Sequence, residues 1–525
     1  MRGARFASSL LALALVAGLL AACGSGGANP ADTLTVLAGS ELKDLQPLLP
    51  KLEDQTGVHL ELEFTGSLDG AQAILDGDPA DAAWFSSGNY LTLAQGDTHK
   101  VLAQTSMMVS PVVIGVKRSV AQRFGWEDNP DVTWADISDK ALAGEFHYAM
   151  TNPAASNSGF TALVGVASAF AGTGNALTED DIDVEHLKEF FSGQKLTAGS
   201  SGFLADSFVQ EQADLDGMIN YESILLELNR AGTLQEPLDL IYPKDGIISA
   251  DYPLMLLHED KRELYDKTVA FFRSEASQRW IMENTDRRPV IPQVRPDSRF
   301  PSQVLVELPF PSTLQVVNAL LDAYLNEIRP PSHSVFVLDV SGSMEGDRLD
   351  ELKRALVGLT GLDTSLTGRF AQFRAREDVT FITFSGSVHQ VKDFTIDTTD
   401  PNSTSLQAVR DFVGRLQAGG HTSIYSALDT AYRTATAALQ ADPTRFTSIC
   451  LMTDGENNSG ISFGEFLNDY HSLGPPARQI KTFPVLFGEA DPGELHDVAD
   501  ETGGEVFDSR SESLSKVFKE IRGFQ

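Results

Sequence analysis

Cysteine is almost absent from this chain: two residues, Cys23 and Cys450, in 525. That excludes a disulfide framework, and no paired Cys and His spacing of a structural zinc site occurs, so a bound metal must be held by oxygen. Basic residues are scarce too, with 40 Lys and Arg against 73 Asp and Glu and a formal charge of -33. Such a field repels phosphate backbones, which argues against nucleic acid as a partner. Beyond the N-terminus no stretch approaches about 18 consecutive apolar residues, the length that spans a bilayer. There is no Gly-x-Ser-x-Gly elbow, no phosphate loop and no His-Glu-x-x-His, and carboxylate pairs such as Asp180 with Asp181 are expected on the solvated faces of so acidic a chain. The sequence reads as that of a non-enzyme, and it has no internal repeat.

What is present begins with a basic stretch, Met1-Arg2-Gly3-Ala4-Arg5, and an apolar run over 6–22. These are the n-region and h-region of a signal peptide over 1–22. The run ends in Leu20-Ala21-Ala22-Cys23, which resembles the lipobox of bacterial lipoproteins. The resemblance implies an acylated Cys23, a flexible tether over 23–31 rich in glycine, and a lipid-anchored protein on the extracytoplasmic face of the cell membrane. An ordinary cleaved signal with a chance cysteine is the alternative. Cys450 lies in Ser448-Ile449-Cys450-Leu451-Met452, a buried strand by its composition, and reads as core packing.

Arg329-Pro330-Pro331-Ser332 interrupts the chain. The diproline forbids helix continuation and divides two globular blocks, 32–328 and 332–525. The first block carries most of the acidity. Its Lys and Arg cluster over 261–299, either as a solvated helix surface or as a face toward a partner.

The first block alternates short strands with helices. Strands are expected over 34–37 and 59–64 with a helix over 44–55 between them, the opening of an α/β sheet whose ligands sit beyond the C-terminal ends of parallel strands. Ser40, Gly66 and Ser67 fall at that edge. Asn157-Ser158-Gly159 and Asn220-Tyr221-Glu222-Ser223 repeat the pattern of apolar strand followed by small polar donors, which suits an orienting shell around a small ligand. Serines after strands also serve as turn formers and helix N-caps. Trp84 and Phe85 are expected in the core. The stretch 35–44, the segment 81–87, the loop 152–159 and Ile247-Ile248-Ser249-Ala250-Asp251-Tyr252-Pro253 with its following helix are similar to type II periplasmic solute-binding proteins, notably the molybdate and iron groups. That resemblance implies two lobes joined by crossing strands, with Ser40, Ser67, Asn157, Ser158 and Tyr221 lining the cleft between them. Glu41 departs from the molybdate pattern and places a carboxylate that opposes an oxyanion.

In the second block the apolar run Val335-Phe336-Val337-Leu338 enters Asp339-Val340-Ser341-Gly342-Ser343 directly, with helical spacing over 348–359 beyond. Alternation over Asp339, Ser341 and Ser343 lets a curled turn aim three hard oxygens at one centre, the donor set that hard divalent cations select. Gly419-Gly420-His421-Thr422 opens a helix where Thr422 can add a hydroxyl, and Ile449-Cys450-Leu451-Met452-Thr453-Asp454-Gly455 is another strand ending in a carboxylate. His421 reads as a solvated or packing residue, and Tyr425 as a rim or sub-rim residue. Pro484 within 483–487 argues for an edge strand or a strand start. These segments resemble the metal-ion-dependent adhesion site of von Willebrand factor type A (VWA) domains, in order and in spacing. The resemblance implies a doubly wound Rossmann-like domain and a cation, Mg2+ with Mn2+ or Ca2+ as alternatives. Ser341, Ser343 and Thr422 would bind it directly, and Asp339 and Asp454 through water. An open coordination position would then take a carboxylate from a protein partner.

Two functions follow: a membrane-anchored binding protein that captures an acidic group on a protein partner through the cation, or the solute receptor of an ABC permease with an accessory VWA domain. Replacing Cys23 by Ala is expected to move the protein from the membrane fraction to the soluble fraction on ultracentrifugation; retention in the membrane fraction would refute the anchor.

Overall fold

The computed structural model describes residues 31–301, 304–510 and 513–524; the signal segment and Cys23 lie outside the described residues. The first unit opens with β1 (Thr33–Gly39), β2 (His59–Thr65), β3 (Ala82–Trp84) and β4 (Ala103–Ser106). The chain then crosses to a second lobe through β5 (Ser110–Lys117), β6 (Tyr148–Thr151), β7 (Gln194–Ala198), β8 (Gly217–Tyr221), β9 (Leu238–Ile241) and β10 (Ser249–Ala250). It returns through β11 (Pro253–Leu256). Lobe one has the order β2-β1-β3-β11-β4, and lobe two runs β10-β5-β8-β6-β7 with β9 beside β5. β5 is buried at every position, as its apolar run requires of a strand covered on both faces.

The crossings are pinned by side chains. Trp84 Nε1 donates to the Tyr252 carbonyl at 2.9 Å, and Gln278 Nε2 donates to the Met107 carbonyl at 2.7 Å. Trp84 and Phe85 are fully buried core residues. The basic cluster divides: Arg262, Lys267 and Arg279 pair with acids of their own helical surface, whereas Arg287 turns inward to Asp44 at 2.5 Å and Arg288 reaches the buried Glu222 at 2.6 Å.

The second unit begins directly after Pro331. Its strands are β12 (Ser332–Asp339), β13 (Glu377–Phe384), β14 (Val388–Ile396), β15 (Phe446–Thr453), β16 (Lys481–Leu486) and β17 (Phe507–Asp508). They lie in the order β14-β13-β12-β15-β16-β17, parallel except for the β13–β14 hairpin. Side chains of β12 alternate between two helical layers. Val335 and Val337 share a core with the helices Ile424–Ala441 and Phe463–Ser472, while Phe336 and Leu338 share one with Asp347–Val357 and Leu514–Arg522. Cys450 is fully buried in β15, and burial pushes its thiol up from the ordinary value. β16 is not an edge strand, contrary to the expectation from Pro484. β17 covers only Val485 and Leu486, so the missing N–H of Pro484 falls where that neighbour has ended.

Packing is continuous across the two units. The ring of Phe524 lies 4.9 Å from Phe203 of lobe two and 4.9 Å from Phe483 of β16, and Phe370 joins the core of the first unit. At the centre of the junction Glu377 accepts from Arg522 at 2.8 Å and from Arg329, with the Arg374 backbone N–H at 3.1 Å. Burial opposes ionisation of Glu377, but the Arg522 and Arg329 guanidinium groups outweigh it and hold the carboxyl below its ordinary value of 4.5. A carboxyl so lowered contributes its stability at pH above 4.5 and loses it as pH falls through the folded-state value. Glu377→Gln leaves buried guanidinium groups unmatched and is expected to cost about 3–5 kcal/mol in denaturant unfolding. It should also flatten the fall in stability on acidification, which an unchanged acid limb would contradict.

Candidate metal centre and solute cleft

The turn after β12 is held by backbone bonds on both sides. The Val340 N–H donates to the Phe384 carbonyl at 2.8 Å, the Gly419 N–H to the Val340 carbonyl at 2.8 Å and the Gly342 N–H to the Gly420 carbonyl at 3.0 Å. Gly420 has φ +94°, and a Cβ there would lie 2.8 Å from Ser385 Oγ, so the turn depends on glycine. Together these contacts bring the loop of Thr422 against Ser341 and Ser343.

The donor set is compact. Ser341 Oγ lies 3.0 Å from Ser343 Oγ, and Ser343 Oγ donates to Asp454 Oδ1 at 2.7 Å. Thr422 Oγ1 and Ser343 Oγ converge on Gly455, at 3.8 and 3.9 Å from the Cβ position that residue lacks. Asp339 is tied on both oxygens, accepting from the Ser341 N–H at 2.7 Å and from Thr453 Oγ1 at 2.7 Å. Asp454 receives Arg348 on its other oxygen at 2.6 Å. Asp339, Asp454, Ser341 and Thr422 are buried, while Gly342 and Ser343 are exposed, so the cluster opens to solvent at one point. Burial raises the Asp339 carboxyl above its ordinary value, opposed by the Thr453 and Ser341 hydrogen bonds and reinforced by the nearby Asp454 charge. Three hydroxyls over two buried carboxylates fit a hard divalent cation, because each carboxylate oxygen already has a protein partner and the hydroxyl lone pairs remain. Bound there, the cation would act as a Lewis acid toward an oxygen ligand. Among the described residues no cluster of three or more His, Cys, Asp or Glu is arranged to hold a metal, which leaves these oxygens as the candidate.

Four further neighbours complete the site. Thr453 orients Asp339, Arg348 neutralises part of Asp454, and Asn458 Oδ1 accepts from the Thr422 N–H at 2.9 Å. Ser385 Oγ lies 2.6 Å from His389 Nε2 beneath Gly420. Only Thr453 had a signal, its place in the Thr-Asp-Gly run. His421 is exposed beside Thr422. Tyr425 packs under the site against Phe463 at 5.3 Å and donates to Glu494 at 2.6 Å.

The five cleft residues separate in space. Ser40 heads the helical segment after β1 and lines a cavity of about 340 Å³. Ser67 heads the helix Ser67–Asp76 beside Gly66 and Leu68, which line the same cavity. Asn157 and Tyr221 meet deeper. Asn157 Nδ2 donates to Tyr221 Oη at 3.0 Å, and Tyr221 Oη donates to Ser86 Oγ of lobe one at 3.1 Å, so this pair ties the lobes together. Ser158 is buried inside lobe two, its hydroxyl 2.8 Å from Thr151 Oγ1 and 2.7 Å from Ser201 Oγ. Arg287, unassigned from the sequence, is buried with its guanidinium 4.9 Å from the Tyr252 ring, which lies 6.2 Å from that of Tyr221.

Comparison with known proteins matches residues 34–284 to the family of bacterial extracellular solute-binding proteins and residues 335–520 to the von Willebrand factor type A domain. A solute-binding domain of this kind implies an extracytoplasmic location, and no helix among the described residues is long and apolar enough to cross a membrane. Curated relatives include inter-alpha-trypsin inhibitor heavy chain H3 of Pongo abelii and of Homo sapiens, each 32% identical over 166 residues, 30% of this chain. The chain spans 17% of the length of these relatives. Among solved structures, an extracellular solute-binding protein from Bordetella parapertussis is 17% identical and covers 56% of this chain and 98% of its own, with a TM-score of 0.42. A von Willebrand factor type A protein from Catenulispora acidiphila is 19% identical and covers 37% of this chain and 42% of its own, with a TM-score of 0.29.

Arg348→Gln removes a positive charge from Asp454 and is expected to tighten Mg2+ binding in calorimetric titration of the full chain. Weaker binding in that variant would mean that Arg348 orients Asp454 rather than competing with the cation.

Proposed function

This chain joins a bacterial extracellular solute-binding domain to a von Willebrand factor type A domain, and from that union we propose a lipid-anchored extracytoplasmic binding protein whose VWA domain holds Mg2+ and captures, through it, an acidic group on a protein partner. Both kinds of domain are generally non-catalytic, which agrees with a binding role. The convergence of Ser343 and Thr422 beside Gly455, with Ser341 Oγ 3.0 Å from Ser343 Oγ, exposed at Ser343 and backed by two buried carboxylates, supports this reading.

The physical logic is one of charge. Neutral hydroxyls around the cation leave most of its charge uncompensated, and an exposed electron-poor cation favours an incoming carboxylate. Asp339 and Asp454 stand behind the hydroxyls, orienting them and lowering the cost of a buried cation. The lipid anchor at Cys23 would hold this surface outside the cell, and the first domain supports a small-solute partner. Delivery of that solute to an ABC permease is a second reading, favoured by the cavity of about 340 Å³ at the cleft.

Thr422→Ala and Asp339→Ala are each expected to weaken Mg2+ binding by about tenfold or more while leaving the fold intact by circular dichroism. Pull-down from an extracytoplasmic fraction should lose its partner in EDTA and regain it on adding Mg2+. A partner retained in EDTA would contradict cation-mediated capture.

A further inference from the structure

The cavity of about 340 Å³ at the mouth of the cleft has three walls, and the third belongs to the VWA domain. Lobe one supplies Lys43 and Phe64, lobe two supplies Asn152 and Gly199, and the VWA domain supplies Glu505 and Phe524. This third wall is fixed by close packing. A Cβ on Gly199 would fall 2.7 Å from the Phe524 ring, and one on Gly504 would fall 1.7 Å from the Thr482 carbonyl oxygen, so glycine at 504 lets the segment carrying Glu505 lie against β16.

Most charges at the cavity are already matched. Lys519 pairs with Asp363 at 2.7 Å, Arg522 with Glu377 at 2.8 Å, and Asp69 and Glu520 have partners of their own. Lys43 and Glu505 differ: among the described residues neither side chain has a hydrogen bond or ion pair, although they face one cavity from different domains. Lys43 Nζ lies 5.4 Å from the Phe64 ring centroid at the exposed rim. Burial raises the Glu505 carboxyl, Asp206 adds to the rise, and Lys43 opposes it. A cation drawn to Glu505 would meet the Lys43 ammonium across the cavity, and an anion drawn to Lys43 would meet the half-buried Glu505 carboxyl. A zwitterion matches both, and the phenyl rings of Phe64, Phe507 and Phe524 offer apolar contact between them. A cavity of about 340 Å³ is of the size that takes a small organic molecule.

We propose that this chamber binds a small zwitterionic organic solute of the amino-acid class, its ammonium group on Glu505 and its carboxylate on Lys43, so that the VWA domain contributes a ligand residue to the solute site. The proposal rests on the first domain being solute-binding. Calorimetric titration of the full chain with each standard L-amino acid tests it, with sulfate and glucose as probes of other classes. The expected result is binding of at least one amino acid, weakened by about tenfold or more in Glu505→Gln and in Lys43→Gln at an unchanged unfolding midpoint. No binding of any amino acid overturns the proposal; if sulfate or glucose then binds, the solute-binding reading of the first domain stands without it. Amino-acid binding that is unaffected in Glu505→Gln removes the VWA domain from the site and overturns the proposal equally.

Discussion

One buried carboxylate organises the junction on which the rest of the molecule depends. Glu377 opens β13, and its two oxygens receive Arg329 from the segment that leaves the first unit and Arg522 from the C-terminal helix. Arg374 approaches from the same side and reaches back to Asp322 at 3.5 Å, where burial lowers its guanidinium to about 10. An ion cluster in such surroundings adds less net stability than its Coulomb energy suggests, because every charge has been desolvated. Its effect is on geometry: any arrangement that separates the C-terminal helix from the linker strands charges without partners. The helix Leu514–Arg522 is therefore fixed at the mouth of the cleft, and Phe524 with it.

Both candidate sites then lie at the same kind of place, beyond the C-terminal ends of parallel strands, where backbone turns away from the sheet and side chains can converge. They differ in how charge is handled. At the metal centre two buried carboxylates are saturated by hydrogen bonds and present hydroxyls outward, which suits a cation that keeps an open position. In the chamber an ammonium and a carboxyl face each other without direct pairing, which suits an occupant that supplies both missing signs. β16 connects the two regions. Its end borders the metal-site strand β15, and Phe483 within it touches Phe524.

What the sequence disclosed was what is local in it. Asp339, Ser341 and Ser343 occupy one turn, so their alternation is visible as spacing, and the strands of both units announce themselves by apolar periodicity. Long-range consequences were not visible. Arg287 belongs to a basic cluster that reads as surface, yet it is itself buried, its guanidinium paired at 2.5 Å with Asp44, far away in sequence. Ser158 follows a strand like any donor serine, but the neighbouring Ser201 and Thr151 consume its hydroxyl inside lobe two. Pro484 signalled an edge because strand propensity knows nothing of how far the next strand extends. Glu505 and Lys43 have no shared pattern at all; only the docking of one domain on the other brings them to one cavity.

The two domains form one unit, joined by Glu377 and by the apolar packing of Phe524 between Phe203 and Phe483. Differential scanning calorimetry of the full chain tests it most directly. The expected result is a single cooperative transition in which both domains unfold together. Two well-separated transitions, one of them unchanged when residues 332–525 are removed, would contradict it.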